Sequence, residues 1–229
     1  MITEQGLAPK TCNLRLTAIR SFLEYAAQEY LWLMPVYTDA CTIAGVKTPN
    51  HAIEYFEPDE MTALLAAPSG TSRTDRRNQM MLIFLYDTAA RVAEARQVKV
   101  SDLHLDAGVP YVTLLGKGRK YRNIPLMEKT VLHLKRYLKD FHGSDPKTDL
   151  PLFYAKAHGL LHELSSDTFE KMIKRYAEQC REGGYPMPDR VHCHMIRKTR
   201  AMDLYREGVP LPHIQQLLGH ENISTTSGF

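Results

Sequence analysis

Four short runs in this chain concentrate cations at spacings that could do chemistry. Thr88-Ala89-Ala90-Arg91-Val92-Ala93-Glu94 places an arginine just after an apolar stretch, with Val100-Ser101-Asp102 close behind. Gly116-Lys117-Gly118 leads into Arg122-Asn123-Ile124-Pro125-Leu126. His194-Met195-Ile196-Arg197 sets two basic side chains three residues apart, on one face of a helix. Leu217-Leu218-Gly219-His220 is followed by Ile223-Ser224-Thr225-Thr226. Singly, each run is commonplace: arginines after helices usually lie on the surface, basic turn tips are frequent, and HxxR arises by chance. Together, Arg91, Lys117, His194, Arg197 and His220 offer two guanidiniums, an ammonium and two imidazoles. Phosphoryl transfer needs such a set, because it depends on positioning and on stabilising charge around a crowded anionic phosphorus. Arginine suits the task because its planar fork can meet two oxygens and stays charged. No acidic cluster of metal-ligand type accompanies these residues, which argues against a two-metal nuclease. His192-Cys193-His194 invites a zinc reading, but partners at finger spacing are missing. Neither a metal nor a cofactor is expected.

The elements that must position these groups can be read from periodicity. Residues 11–32 form an amphipathic helix, with Leu14, Leu16, Ile19, Phe22, Leu23 and Ala26 on or near one face and Thr11 as a candidate N-cap. Thr42 to His51 has linker composition and marks a boundary, giving units of residues 1–50 and 51–229. Glu57-Pro58-Asp59-Glu60 opens a helix, with proline in the first turn and acids at the positive end of the dipole. The run Met80–Leu85 lies in a buried helix ending near Thr88, and a short helix follows Arg91 to about Gln97. Two strands, Pro110–Leu115 and Tyr121–Pro125, flank Gly116-Lys117-Gly118-Arg119-Lys120 as a β-hairpin with a basic tip. Further helices are expected over about 128–142, 167–182 (Asp167 and Glu170 at capping-box spacing), 195–207, and from Pro210 or Pro212 to Gly219. Ser224 or Thr225 could cap one more. The fold class is therefore mainly α with one small antiparallel β-sheet.

At 229 residues, 44% of them apolar, the chain can bury a core in one ordinary domain plus a small one. No window approaches eighteen consecutive apolar residues, and MITEQGLAPK lacks the regions of a signal peptide. Cys12, Cys41, Cys180 and Cys193 form no CxxC pair, so reduced thiols in a cytoplasmic protein are expected. A net charge of +3 is too small to indicate a nucleic-acid partner by itself. Its distribution says more: between Lys117 and Lys139 eight Lys or Arg residues face one acid, Glu128. That stretch is either a solvated helix face or a surface that tracks phosphates.

The order of an arginine in T-x-x-R-x-x-E, a GKG hairpin, an HxxR and an LGH followed by STT resembles the catalytic domain of the tyrosine recombinase (integrase) family, over roughly residues 53–229. Thr11 to about Leu33 is similar to the last long helices of that family's core-binding domain, whose first helices have no counterpart here. The resemblance implies that Arg91 and Arg197 clamp the nonbridging oxygens of the scissile phosphate. It implies that Lys117 protonates the 5′-oxygen leaving group, that His194 assists proton transfer at the nucleophile, and that His220 donates to the phosphate. Glu94 orients the arginine, and Arg119, Lys120, Arg122, Lys198 and Arg200 would contact the DNA backbone. The partner implied is double-stranded DNA, with four protomers in strand exchange and a role in integration or excision of a mobile element.

The chain departs from the pattern in three places. Lys198 stands where the family often has His, and Ala89-Ala90 where Gly and a larger apolar residue are common. The position nine residues after His220, where the family's nucleophilic Tyr usually falls, is Phe229, and the last tyrosine is Tyr205, upstream of His220. The chain is thus expected to form no phosphotyrosine bond. A Tyr replaced by Phe, a Tyr just beyond residue 229, or a naturally inactive relative would each account for this. A type IB topoisomerase-like enzyme and a non-catalytic DNA-binding relative are the rival readings; presence of all five cations weighs against the second.

Overall fold

A computed structural model describes residues 6–48, 54–68, 72–144, 146–157 and 159–219, and the chain divides into two compact units, Met1–Ala52 and Ile53–Phe229. In the first, helix α1 (Pro9–Glu29) starts earlier than the Thr11 cap predicts, because Pro9 occupies its first turn, where a missing N–H costs nothing. A 3-10 turn (Leu31–Leu33) leads to α2 (Met34–Thr42). Arg20 closes this pair by donating to the carbonyls of Ala40 (2.9 Å) and Cys41 (3.2 Å) at the end of α2. Asn13 clamps the following segment through both main-chain groups of Val46. Little apolar surface is buried: Ala27 and Ala40 are covered, while Leu14, Ile19, Phe22, Leu31 and Trp32 are exposed.

The second unit has one main core. Helix α3 (Pro58–Ala66) is capped as its sequence suggests, the Glu57 N–H donating to the Glu60 carboxylate at 2.8 Å. Helix α4 (Arg73–Thr88) starts at Ser72, whose hydroxyl accepts from the Asp75 N–H, and buries Met81, Phe84 and Leu85. After α5 (Val92–Gln97) come β1 (Leu103–His104), β2 (Tyr111–Leu115) and β3 (Tyr121–Pro125), an antiparallel sheet in that order. Leu114 pairs with Arg122 and Val112 with Ile124, so Val112, Leu114 and Ile124 share the core-facing side. Helices α6 (Glu128–His142) and α7 (Ser166–Glu182) cover the core with Leu134, Phe169, Ile173 and Tyr176. Helices α8 (Cys193–Arg206) and α9 (Leu211–Leu218) complete the described chain.

Two further expectations need correction. Strands β4 (Tyr154–Ala157) and β5 (Leu160–Glu163) form a second small sheet that the sequence reading did not contain. Every residue of β5 is exposed, so it carries no alternation to read. The Asp167–Glu170 capping box does not form, because α7 begins earlier, at Ser165, whose hydroxyl accepts from the Thr168 N–H. Asp167 pairs instead with Lys171 at 2.7 Å, and Glu170 accepts from the Cys193 N–H at the start of α8. The further helix expected from Ser224 or Thr225 lies outside the described residues. No helix of the described residues is long and apolar enough to cross a membrane.

Candidate active site

Helix α4 stops because Ala89 takes a left-handed conformation (φ 48°). That turn places Arg91 at the N-cap of α5 and Glu94 one turn into it. The Arg91 N–H donates to Glu94 Oε2 at 2.7 Å, and its guanidinium to Oε1 at 2.8 Å. From β3, Arg122 meets the same carboxylate with both prongs, Nη1 to Oε1 at 2.8 Å and Nη2 to Oε2 at 2.7 Å. From α8, Arg197 Nη1 lies 4.0 Å from Glu94 Oε2 and donates to the Ala89 carbonyl at 2.7 Å, while Nη2 donates to the Leu218 carbonyl. Three guanidiniums therefore surround one carboxylate that is 4% exposed.

The electrostatics follow from this packing. Burial alone would raise the Glu94 pKa, but hydrogen bonds from Arg122, then from the Arg91 backbone and side chain, hold it down at about 2. Arg197 is pushed down to about 9, by burial first and then by Arg91 and Arg122 against the pull of Glu94; it remains a cation at neutral pH. His194, one turn before Arg197, is driven down to about 4, by desolvation of part of its ring first and then by Arg197, Lys198, His192 and Arg91. Its ring still reaches solvent, so it is a neutral, accessible proton acceptor at pH 7. Three guanidiniums against one carboxylate leave an excess of two positive charges, and the Arg91 side chain, 37% exposed, carries that excess to the surface. Such a site favours an anion.

The structure thus brings Arg91, Glu94, Arg122 and Arg197 into one cluster, with His194 beside it. Lys117 lies in a 3-10 turn, Lys117–Arg119, at the hairpin tip. The start of that tip abuts the cluster: a Cβ at Gly116 would stand 3.2 Å from Arg122 Nη1 and 3.6 Å from Glu94 Oε1. His220 and Phe229 lie outside the described residues. Of the expected backbone-contacting cations, Arg119 and Lys120 are exposed on the hairpin and Lys198 is half-buried. Arg122 and Arg200 have different places. The Arg122 side chain is only 13% exposed and points inward. Arg200 is half-buried over the Tyr86 ring, 5.5 Å from its centroid, and its buried Nε has no hydrogen-bond partner among the described residues. The inward turn of Arg122 was readable: it lies two residues from buried Ile124, on the same face of β3.

Asp87 has no signal in the sequence. It is buried at the end of α4, where it accepts from the Met127 N–H at 3.0 Å and so ties the start of α6 to the end of α4. Among the described residues no group of three or more His, Cys, Asp or Glu is placed to hold a metal ion. The Cys193 thiol is buried, and burial followed by the nearby Glu170 pushes its pKa up, away from a thiolate.

The chain is similar to known proteins in sequence and in fold. The profile of the phage integrase family matches residues 54–229. An integrase/recombinase of Sinorhizobium fredii is 31% identical over 97% of this chain and 65% of its own length. The tyrosine recombinase XerD of Halalkalibacterium halodurans is 31% identical over 98% of this chain and 72% of its own. The chain therefore spans about two thirds of the length of such relatives. A crystal structure of XerA recombinase superposes with a TM-score of 0.65 at 25% identity, over 93% of this chain and 77% of that one. The Tn1549 transposon integrase in complex with circular intermediate DNA shares the fold, with a TM-score of 0.74 at 18% identity over 98% of this chain and 76% of that one.

Proposed function

Because the chain belongs to the phage integrase family of tyrosine recombinases, we propose that it is the catalytic part of a site-specific DNA recombinase. The observation that carries this reading is the cluster of Arg91, Arg122 and Arg197 around Glu94, with its excess of positive charge and a neutral His194 at its edge. Arg91, partly exposed, is the direct ligand of a scissile phosphate, and buried Arg197 adds its charge from beneath. His194 accepts the proton of an attacking tyrosine, Lys117 gives one to the 5′-oxygen that leaves, and His220 donates to the phosphate. The products of that step are a 3′-phosphotyrosyl link and a free 5′-hydroxyl. The link conserves the energy of the broken phosphodiester, so rejoining needs no nucleotide cofactor.

The partner on this reading is duplex DNA, and strand exchange assembles four protomers in integration or excision of a mobile element. Residues 1–50 are part of a helical core-binding domain; an α1–α2 pair that leaves Phe22, Leu31 and Trp32 exposed supports this. Phe229 stands at the nucleophile position or just before it, and the attack requires a tyrosine hydroxyl at one of those two positions. Lys117 tests the chemistry. In a chain with a working tyrosine, Lys117→Ala should bind DNA nearly as well but cleave it at least about 100-fold more slowly, the range expected for loss of a general acid. A 5′-bridging sulfur substrate should restore the rate, since sulfur leaves without a proton. Equal slowness on that substrate would remove Lys117 from the role.

A further inference from the structure

The phosphate-contact role that the sequence suggested for Arg122 is not what its surroundings describe. Its Nη1 and Nη2 are spent on the two oxygens of Glu94, and its Nε donates to the Leu217 carbonyl at 3.0 Å. Leu217 lies in the last turn of α9, and Gly219 follows as its left-handed C-cap (φ 63°). One guanidinium therefore joins three elements: β3, the first turn of α5, and the end of α9. Two glycines make room for it. A Cβ at Gly219 would sit 3.2 Å from Arg122 Nη1 and 3.4 Å from its Cδ, and a Cβ at Gly116 would sit 3.2 Å from the same Nη1. The first glycine of the GKG run and the glycine before His220 are thus both shaped around this one side chain.

We propose that Arg122 is a positioning residue, which locks the hairpin that carries Lys117 and the α9 end that precedes His220 onto the Glu94 carboxylate that orients Arg91. The naming of the groups it positions rests on the recombinase reading; the lock itself does not. A planar fork is required, because Lys could neither bridge both carboxylate oxygens nor reach Leu217 at the same time. Arg122 also supplies the largest force opposing the rise that burial would impose on Glu94, ahead of the Arg91 backbone and side chain, with Arg197 a further cation 4.0 Å away. Its removal therefore leaves a carboxylate that takes up a proton more readily, and that distinguishes a charge lock from mere packing.

The test compares Arg122→Gln, Arg122→Lys and Arg119→Gln in two measurements. The first is the carboxyl titration of Glu94, followed by carbon NMR on glutamate-labelled protein. In the unaltered chain Glu94 should stay ionised down to about pH 2. In Arg122→Gln its midpoint should rise by more than about one pH unit, and in Arg122→Lys by less, because one point charge remains. The second is affinity for a duplex as salt is raised from about 50 to 200 mM. Arg122→Gln should leave the slope of log affinity against log salt unchanged, whereas Arg119→Gln should reduce it by about 0.9 for one lost phosphate contact. A folded Arg122→Gln with an unmoved Glu94, or with a slope reduced by that amount, would overturn the proposal. If Arg122→Gln does not fold, Arg122→Lys decides the lock through the Glu94 titration alone: a smaller rise supports it and an unmoved midpoint overturns it. A chain that binds no duplex at all would defeat the recombinase reading, and the Glu94 titration would still decide Arg122.

Discussion

Glu94 accepts four hydrogen bonds, from the Arg91 backbone, the Arg91 side chain and both prongs of Arg122, which fills the acceptor capacity of a carboxylate. Its charge is what allows three guanidiniums to sit together. Lowering its pKa from an ordinary 4.5 to about 2 links it to stability. The contribution, about 3 kcal/mol at most, is present above pH 4.5 and is lost as pH falls toward 2. Glu94→Ala should cost roughly 3–5 kcal/mol in denaturant unfolding, because it leaves buried cations without their counter-charge. A cost below about 1 kcal/mol would mean that the cluster is not held by this carboxylate. His194 carries the opposite charge logic. Its ring should titrate with a midpoint well below 6.5 in the free protein, so that the unfolded chain binds the proton first and stability falls slightly between pH 6.5 and 4. A phosphate in the site reverses the local field, so duplex binding should raise that midpoint, as followed by the ring C–H shifts in NMR. A free-protein midpoint at or above 6.5 would contradict the cationic setting.

Among the elements, the end of α9 is the most sensitive joint. Gly219 needs its left-handed φ, and its missing Cβ leaves the space that Arg122 fills. Gly219→Ala should therefore cost about 1–2 kcal/mol from the backbone alone, and more from displacing Arg122. An unfolding free energy within about 0.5 kcal/mol of the parent would mean that the close approach is unimportant. Ala89 holds a similar left-handed turn at the end of α4 without being glycine, at the position where the sequence departs from the family pattern. How legible each element is depends on whether its burial is periodic. The β2–β3 hairpin was readable because Val112, Leu114 and Ile124 alternate with polar residues around a Gly-rich turn. The β4–β5 pair was not, since β5 buries nothing. Arg122 reads as a DNA contact because its charge outweighs its place in the alternation, and Asp87 is invisible because nothing local marks a buried carboxylate that caps a distant backbone N–H.

At the scale of the molecule, the four cation-bearing runs are far apart in sequence, yet three of them meet at Glu94: Arg91 from α5, Arg122 from β3 and Arg197 from α8. Their order along the chain was legible, but their shared dependence on one carboxylate was not, because a pairwise spacing cannot show a contact between residues 28 and 103 positions apart. The central claim is that this convergence serves a covalent attack on DNA. The most direct measurement mixes the chain with sheared DNA of the source cell, which contains the natural site whatever its sequence, and resolves protein-linked DNA on a denaturing gel. The unaltered chain should give no adduct. Phe229→Tyr, or the native sequence continued past residue 229, should give one that nuclease digestion reduces to a nucleotide joined to tyrosine through its 3′-phosphate. The first outcome would place the nucleophile at 229, and the second just beyond it. Absence of any adduct from both chains, with the fold intact and duplex binding retained, would contradict the account.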